Sequence, residues 1–238
     1  MEQVPDRLAI PFGVEDAADV HLTLFRILDA TRMLGIAGTL AVGPRWLVRR
    51  EFLVLVRDLG QPIRKFPAPP SMRWTALTDA DVPRVRAINP TMSEAEIRRR
   101  LGEGQECLLG WLDGSLAHYR WDTVGSAYLP YLGKILQPLE GDLITIEAFT
   151  HPPFRNRGIH SASTRIVLGR ARERGLVRSI TAVAWWNAPG LRVTREKADR
   201  VIAGTVGRWS LGPWRRDFAT GAVRFDASGD LCVRPSET

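Results

Sequence analysis

Apolar residues recur along the chain in two rhythms. Leu24, Ile27, Leu28, Leu34 and Ile36 stand loosely at helical spacing within residues 15–40. Short apolar runs at 46–49, 52–56, 73–77, 107–112, 116–123, 143–149, 178–186 and 201–211 read instead as strands, bounded by turn residues. Between them, helices are expected at 79–88, 93–101, 161–174 and 191–199. Thr78 or Asp79 can cap the first, and Ser93 with Glu96 three residues on is a capping-box signature for the second. Gly175 is placed to close the third. Asp113-Gly114 between two apolar runs signals a tight hairpin, so 107–112 and 116–123 should pair antiparallel.

Punctuation residues divide this pattern. Pro67-Ala68-Pro69-Pro70 cannot continue a helix or a central strand, and the domain boundary is expected there. The division becomes an N-terminal helix-and-strand appendage over 1–66, a Pro-rich linker over 67–72, a main domain over 73–218, and a tail or terminal hairpin over 219–238 with no function assigned. Three roles stay open for the appendage: packing on the main domain, forming a homodimer face, or resting on an acidic surface through Arg45, Arg49 and Arg50. Residues 125–141, with Pro130, Gly133 and Pro138, read as a loop or a short helix.

Composition changes this picture little. The 238 residues, 45% hydrophobic and 25% charged, have the balance of a soluble globular protein. A formal charge of +7 suits an acidic ligand such as a phosphorylated cofactor, and equally nucleic acid or an anionic surface. Cys107 and Cys232 lie far apart without metal spacing, and the first residues lack a basic start followed by an apolar core, so a reduced, cytoplasmic protein is expected. The apolar run 21–42 is broken by Arg26, Asp29 and Arg32, which makes it a packed helix rather than a transmembrane segment.

Candidate chemistry concentrates in Phe154-Arg155-Asn156-Arg157-Gly158-Ile159-His160, between a strand and a helix. The first turn of a helix has N–H groups without intrahelical acceptors, and the helix dipole adds partial positive charge there; together they bind phosphate. Gly158 permits a backbone conformation that side chains disfavour, and Arg155 and Arg157 can add charge-assisted bonds. The plainer alternative is a basic strand-to-helix turn. No Lys followed by Ser or Thr comes after the glycine, and the glycine trio of dinucleotide folds is missing, so nucleotide hydrolysis and dinucleotide redox chemistry lose weight.

What remains resembles the pyrophosphate loop of the GNAT (N-acetyltransferase) superfamily, an Arg or Gln, two residues, Gly, one residue, then Gly or Ala. Arg155 and Gly158 match, while His160 stands where the family prefers a small residue. The element order β-α-α-β-β-β-α-β-α-β over 73–218 is likewise the GNAT arrangement. The resemblance implies an α/β (α+β) fold: a mixed, mainly antiparallel sheet flanked by helices, here with an N-terminal helix-plus-hairpin appendage. It also implies acetyl-CoA or another acyl-CoA as co-substrate, no metal, and direct transfer of the acyl group to an amine acceptor in a ternary complex. By the same resemblance, backbone groups of Ala148, Phe149 and Thr150 hold the pantetheine arm. Arg155, Asn156, Arg157, Gly158, Ile159, His160 and Ser161 form the pyrophosphate site. Glu147 takes the amine proton, and Asn187 contacts the pantetheine or the acceptor side.

The residues themselves leave alternatives beside those roles. Glu147 can simply face solvent or pair with an arginine, and Asn187 can be a turn residue before Pro189. His118, His151 and His160 lie near the loop but share no metal-ligand spacing. The family's usual tyrosine general acid is missing from 191–200, where Thr194 and Arg195 stand. A non-catalytic CoA-binding module is therefore a second reading. A basic nucleic-acid-binding protein, with Trp74, Trp111, Trp121 and Trp185 as stacking residues, is a third and less favoured one, since those tryptophans read more simply as strand core.

Overall fold

The computed structural model describes residues 49–64, 67–129, 132–211 and 214–235. The chain divides into units 1–47 and 48–238, and every described residue belongs to the second. The helix expected at 15–40 lies outside the described residues, as does most of the strand expected at 46–49.

Twelve strands form two sheets among the described residues. The large one has the order β10-β9-β1-β8-β7-β4-β3-β2. Its members are β1 (Arg49–Asp58), β2 (Met72–Ala76), β3 (Glu106–Leu112), β4 (Ser115–Thr123), β7 (Asp142–Thr150), β8 (Arg178–Ala184), β9 (Val201–Leu211) and β10 (Trp214–Ala219). All neighbours pair antiparallel except β7 with β8.

Strand alternation sorts the two faces. Leu109, Tyr119 and Trp121 pack under helices α1 (Val82–Ile88) and α2 (Glu94–Gly102), with Val82, Val85 and Ile97. Leu108 and Leu143, one residue out of phase, pack on the other face against Val167, Leu168 and Ala171 of helix α3 (Ile159–Glu173). Ser93 caps α2 as its spacing implies, its Oγ accepting from the Glu96 N–H at 3.1 Å.

Two expectations need correction. The strand placed in the appendage at 52–56 is the middle of β1, and it lies inside the main sheet between β8 and β9. The unit boundary falls at residues 47 and 48, and the proline stretch at 67–70 belongs to a connection within the domain. The physical reason is burial: Val54 and Leu55 are fully buried, and a strand pairing on both edges cannot detach as an appendage. Residues 125–141 are neither loop nor helix throughout. They carry β5 (Ala127–Leu129) and β6 (Lys134–Gln137), which join β12 (Leu231–Val233) and β11 (Val223–Phe225) in the small sheet. Ala127, Leu136, Val223 and Leu231 of that sheet cover Ile144, Ile180 and Val206 of the large one.

Beneath the first turns of α3 the large sheet carries charge beside that hydrocarbon. Arg120, almost fully buried, donates from Nε to both Asp122 oxygens (3.1 and 3.0 Å), from Nη1 to Thr164 Oγ1 (2.7 Å) and from Nη2 to Thr145 Oγ1 (2.6 Å). Thr145 in turn donates to Asp122 at 2.7 Å. Arg200 reaches the same layer through Ser179 Oγ at 2.7 Å, and burial followed by the charge of Arg120 pushes its guanidinium down to about 9. His118, fully buried, holds Thr150 Oγ1 at 2.9 Å; burial first, then His160 and Arg120, push its imidazole well below 6.5.

Two outcomes follow from this layer. Asp122→Asn leaves Arg120 buried without its carboxylate and should cost about 3 kcal/mol, read as a lowered urea midpoint at constant m. Because folded His118 resists a proton that the unfolded chain accepts, its contribution is complete above pH 6.5 and is lost as pH falls below it. The urea midpoint should therefore decline between pH 7 and 5.5, and decline less in His118→Phe; equal slopes would refute the assignment.

Candidate functional site

The parallel pairing of β7 with β8 runs from Asp142 opposite Arg178 to Thr145 opposite Thr181, and stops. Both strands continue. β7 stays paired to β4 as far as Thr150 opposite His118, and β8 stays paired to β1 as far as Ala184 opposite Phe52. The sheet therefore splits into a wedge above Thr145. The cause is visible in the register with β4: Trp121 faces Glu147, whereas Asp122 faces Thr145, so Ile146 is the extra residue of a β-bulge. A bulge bends its strand and increases its twist, here away from β8.

Hydrogen-bond phase determines what the wedge presents. The His151 N–H donates to the Ala117 carbonyl at 2.9 Å, and antiparallel pairs alternate. The backbone groups of Glu147 and Phe149 thus turn toward β4, and those of Ala148 and Thr150 turn toward the gap. Of the expected pantetheine contacts, Ala148 and Thr150 face the opening through their main chain, while Phe149 stacks its ring on Tyr119, centroids 5.5 Å apart.

At the top of β7 the chain turns through Pro152–Phe154, passes Asn156 at φ 65° and Gly158 at φ 76°, and enters α3. The two positive φ values curl the main chain so that successive N–H groups converge, and the second position calls for glycine. Gly158 is the N-cap with no side-chain cap, and its carbonyl receives the Ala162 N–H at 3.0 Å. The N–H groups of Ile159, His160 and Ser161 thus have no acceptor inside the helix. Arg155, Asn156 and Arg157 are exposed around them. Arg155 Nε donates to the Thr150 carbonyl at 3.1 Å, and the Arg157 guanidinium lies 5.6 Å over the Phe154 ring. The His160 ring meets His118 edge to face at 5.8 Å, so its bulk is directed at β4.

Glu147 faces the α1 and α2 side with both carboxylate oxygens engaged. Oε1 accepts from Tyr119 Oη at 2.6 Å, and Oε2 accepts from Arg100 Nη1 at 3.2 Å. Asn89 Nδ2 donates to Tyr119 Oη at 2.6 Å, and Arg100 is anchored in turn on Glu96 Oε1 at 2.8 Å. Burial, then the charge of Glu147 and its hydrogen bond, hold the Tyr119 phenol well above 10, so it remains a proton donor to Glu147. Of the alternatives open for this carboxylate, the arginine pairing is present, and the side chain as a whole stays 32% exposed.

Asn187 follows the other diverging strand. It is the N-cap of helix α4 (Ala188–Arg192), its Oδ1 accepting from the Gly190 N–H at 3.0 Å, which is the turn role its sequence context allowed. The helix expected at 191–199 starts earlier and continues as a π-helical turn, Val193–Lys197. Glu147 and Asn187 thus stand on opposite sides of the wedge, each with its own partners.

Sequence reasoning missed Arg100, Tyr119, Asn89 and the buried Arg120 and Arg200. Alternation alone places Tyr119 and Trp121 on the face of Glu147 and Phe149, and that signal was available; nothing in the sequence points from Arg100 to Glu147. Trp111 and Trp121 are buried under α1 and α2, which removes them as stacking platforms for bases. Among the described residues no helix is long and apolar enough to cross a membrane.

No protein-family model and no curated protein matches the chain. Solved structures do. A protein described as an acetyltransferase from the GNAT family of Novosphingobium aromaticivorans is 18% identical, with TM-score 0.50 over 67% of this chain and 62% of that one. A GCN5-related N-acetyltransferase from Sphaerobacter thermophilus is 15% identical, with TM-score 0.52 over 79% of this chain and 58% of that one. The chain thus spans about three fifths of the length of each. Bulged strand, wedge and glycine-capped helix occur within a mixed, mostly antiparallel sheet flanked by helices, and the protein has the fold of GNAT acetyltransferases.

Proposed function

We propose that the protein is an acyl-CoA-dependent N-acyltransferase, with acetyl-CoA as the simplest donor and an amine as acceptor. The observation that carries this reading is the wedge above Thr145 and Thr181 opening directly beside the uncapped first turn of α3. One end of such a ligand is a pyrophosphate, and the N–H groups of Arg157 to Ser161, with the Arg155 and Arg157 guanidinium groups beside them, suit that charge. Its middle is an amide-bearing pantetheine, and the gap-facing main-chain groups of Ala148, with the N–H of Thr150, offer it the pairing that β8 would otherwise supply, the Thr150 carbonyl already receiving Arg155. The two cysteines are unpaired, as a cytoplasmic setting would leave them.

In the chemical step the amine nitrogen attacks the thioester carbonyl carbon, the carbon–sulfur bond breaks, and the thiolate leaves with the electron pair. The proton lost by the attacking nitrogen has to reach solvent or the departing sulfur. Glu147 is the group on the acceptor side able to receive it, directly or through water, and Arg100 and Tyr119 hold its carboxylate in one orientation. Asn187 belongs to this reading as a positioning residue at the mouth of the wedge, its amide Oδ1 already committed to Gly190.

The same engagement of both Glu147 oxygens motivates the second reading, a CoA-binding module without turnover. Titration with CoA, followed by thiol release from acetyl-CoA across an amine panel, separates the two. Arg155→Ala should weaken CoA binding about tenfold with an unchanged melting temperature, because it removes one exposed charge-assisted contact; equal affinity in that variant sinks the loop assignment. Glu147→Gln should lower kcat by about 100-fold while CoA affinity stays level. Turnover preserved in Glu147→Gln would remove the carboxylate from the chemistry.

A further inference from the structure

The connection from β1 to β2 does not run clear of the candidate cofactor site. Leu59, fully buried, donates its N–H to the Val177 carbonyl at 2.8 Å and packs with Leu143, Val167, Leu168 and Ala171, with Ile63 added to the same cluster. Ile63 and Arg64 then line the groove between α3, at Ser161 and Thr164, and the π-helical turn before β9, at Val193 and Ala198. The remaining void there is about 10 Å³, room for roughly one water molecule. Farther on, the Pro67 carbonyl oxygen lies 3.7 Å from where a Cβ on Gly158 would project, beside the glycine that opens the phosphate cradle.

Polar contacts tie the segment down. Arg57 Nη1 donates to the Ala198 carbonyl and Nη2 to the Pro62 carbonyl, both at 2.6 Å. Asp199 then receives Arg57 at 3.3 Å and Arg64 at 3.1 Å. Asp199 itself sits at φ 49°, a left-handed conformation that aspartate adopts more readily than most residues.

We propose that residues 59–64 and 67–71 form a strap that competes with the cofactor for this flank of α3 and has to lift for the cofactor to seat. The proposal rests on the acyl-CoA reading. A ligand that meets the N–H groups of Ile159 to Ser161 and threads into the wedge must lie alongside Gly158 and Ser161, where the seated strap leaves room for roughly one water molecule. The seated strap therefore reduces apparent affinity by the fraction of time that it is closed. Ile63 and Arg64 are the residues whose truncation loosens it while every residue of the cradle and the wedge, and Glu147, stays unchanged.

The test is CoA titration by calorimetry on the parent, Ile63→Ala and Arg64→Ala, with amide hydrogen exchange on the free and CoA-saturated parent. The strap predicts CoA binding tighter by about 3- to 10-fold in Ile63→Ala, by a smaller factor in the exposed Arg64→Ala, and faster exchange over 59–64 in the CoA-bound parent. Exchange over 158–161 should slow at the same time. Equal affinity in all three proteins, with exchange over 59–64 unchanged or slowed by CoA, overturns the strap and leaves the cofactor reading standing. No CoA binding by any of them overturns both.

Discussion

The split between β7 and β8 depends on Thr145. Its hydroxyl accepts from Arg120 and donates to Asp122, and its carbonyl accepts from Thr181 Oγ1 at 3.2 Å, so the last paired rung of the parallel ladder is bound from both strands. One residue later the bulge at Ile146 turns β7 away. A fully zipped sheet would satisfy the main chain of Ala148 and Thr150 with β8 and leave nothing for a ligand. A sheet unzipped lower down would expose Leu143 and Ile144, both buried in opposite cores. The polar layer sets the point between these outcomes, and the uncapped first turn of α3 comes to lie beside the wedge because α3 begins where the bent strand ends.

That layer also explains why charge is buried in this fold at some cost. Arg57, Arg120 and Arg200 are all at least nine-tenths buried, against one equally buried carboxylate in the cluster, Asp122. Hydrocarbon of similar volume would pack there with no desolvation penalty. Apolar packing resists a one-residue slip because each side chain would change face, and directed bonds add a second constraint. The guanidinium of Arg120 reaches Asp122 on its own strand, Thr145 on the next and Thr164 on α3, and a one-residue slip of β7 breaks at least one of those bonds.

Much of this was legible in the sequence where local chemistry decides the structure. The hairpin at Asp113-Gly114, the Ser93 cap and the glycine-opened helix after Arg155 are set by turn and cap preferences that a few residues express. The errors fall where distant segments decide. β1 was assigned to an appendage because Pro67 to Pro70 resembles a boundary, whereas the partners that hold it, β8 and β9, are more than a hundred residues away. Arg120 alternates with Tyr119 and Trp121, so pattern alone sends it to solvent; α3 covers that face, and only the assembled sheet shows it. In the candidate site the backbone elements were readable, but the partners of Glu147 were not, since Arg100 comes from α2 and Asn89 from the turn before it.

The position of β1 also decides what lies against the N-terminal flank of α3. β1 ends beside the start of β8, with Asp58 opposite Arg178, and β2 begins at the far edge of the sheet, with Met72 opposite Leu112. Five strand spacings of about 4.8 Å separate the two, and both strands run the same way, so their connection has to return across one face. One face is occupied by α1, α2 and the small sheet. The other carries α3, and the chain lies along it at Leu59 and Ile63 and again at Pro67, ahead of Met72, whose side chain packs with Trp74 near Ile159. Placing an N-terminal strand inside the sheet therefore routes a segment beside the uncapped turn of α3. That segment is tied in turn to the same Arg57, which joins β1 to the π-helical turn before β9 and also holds the Pro62 carbonyl.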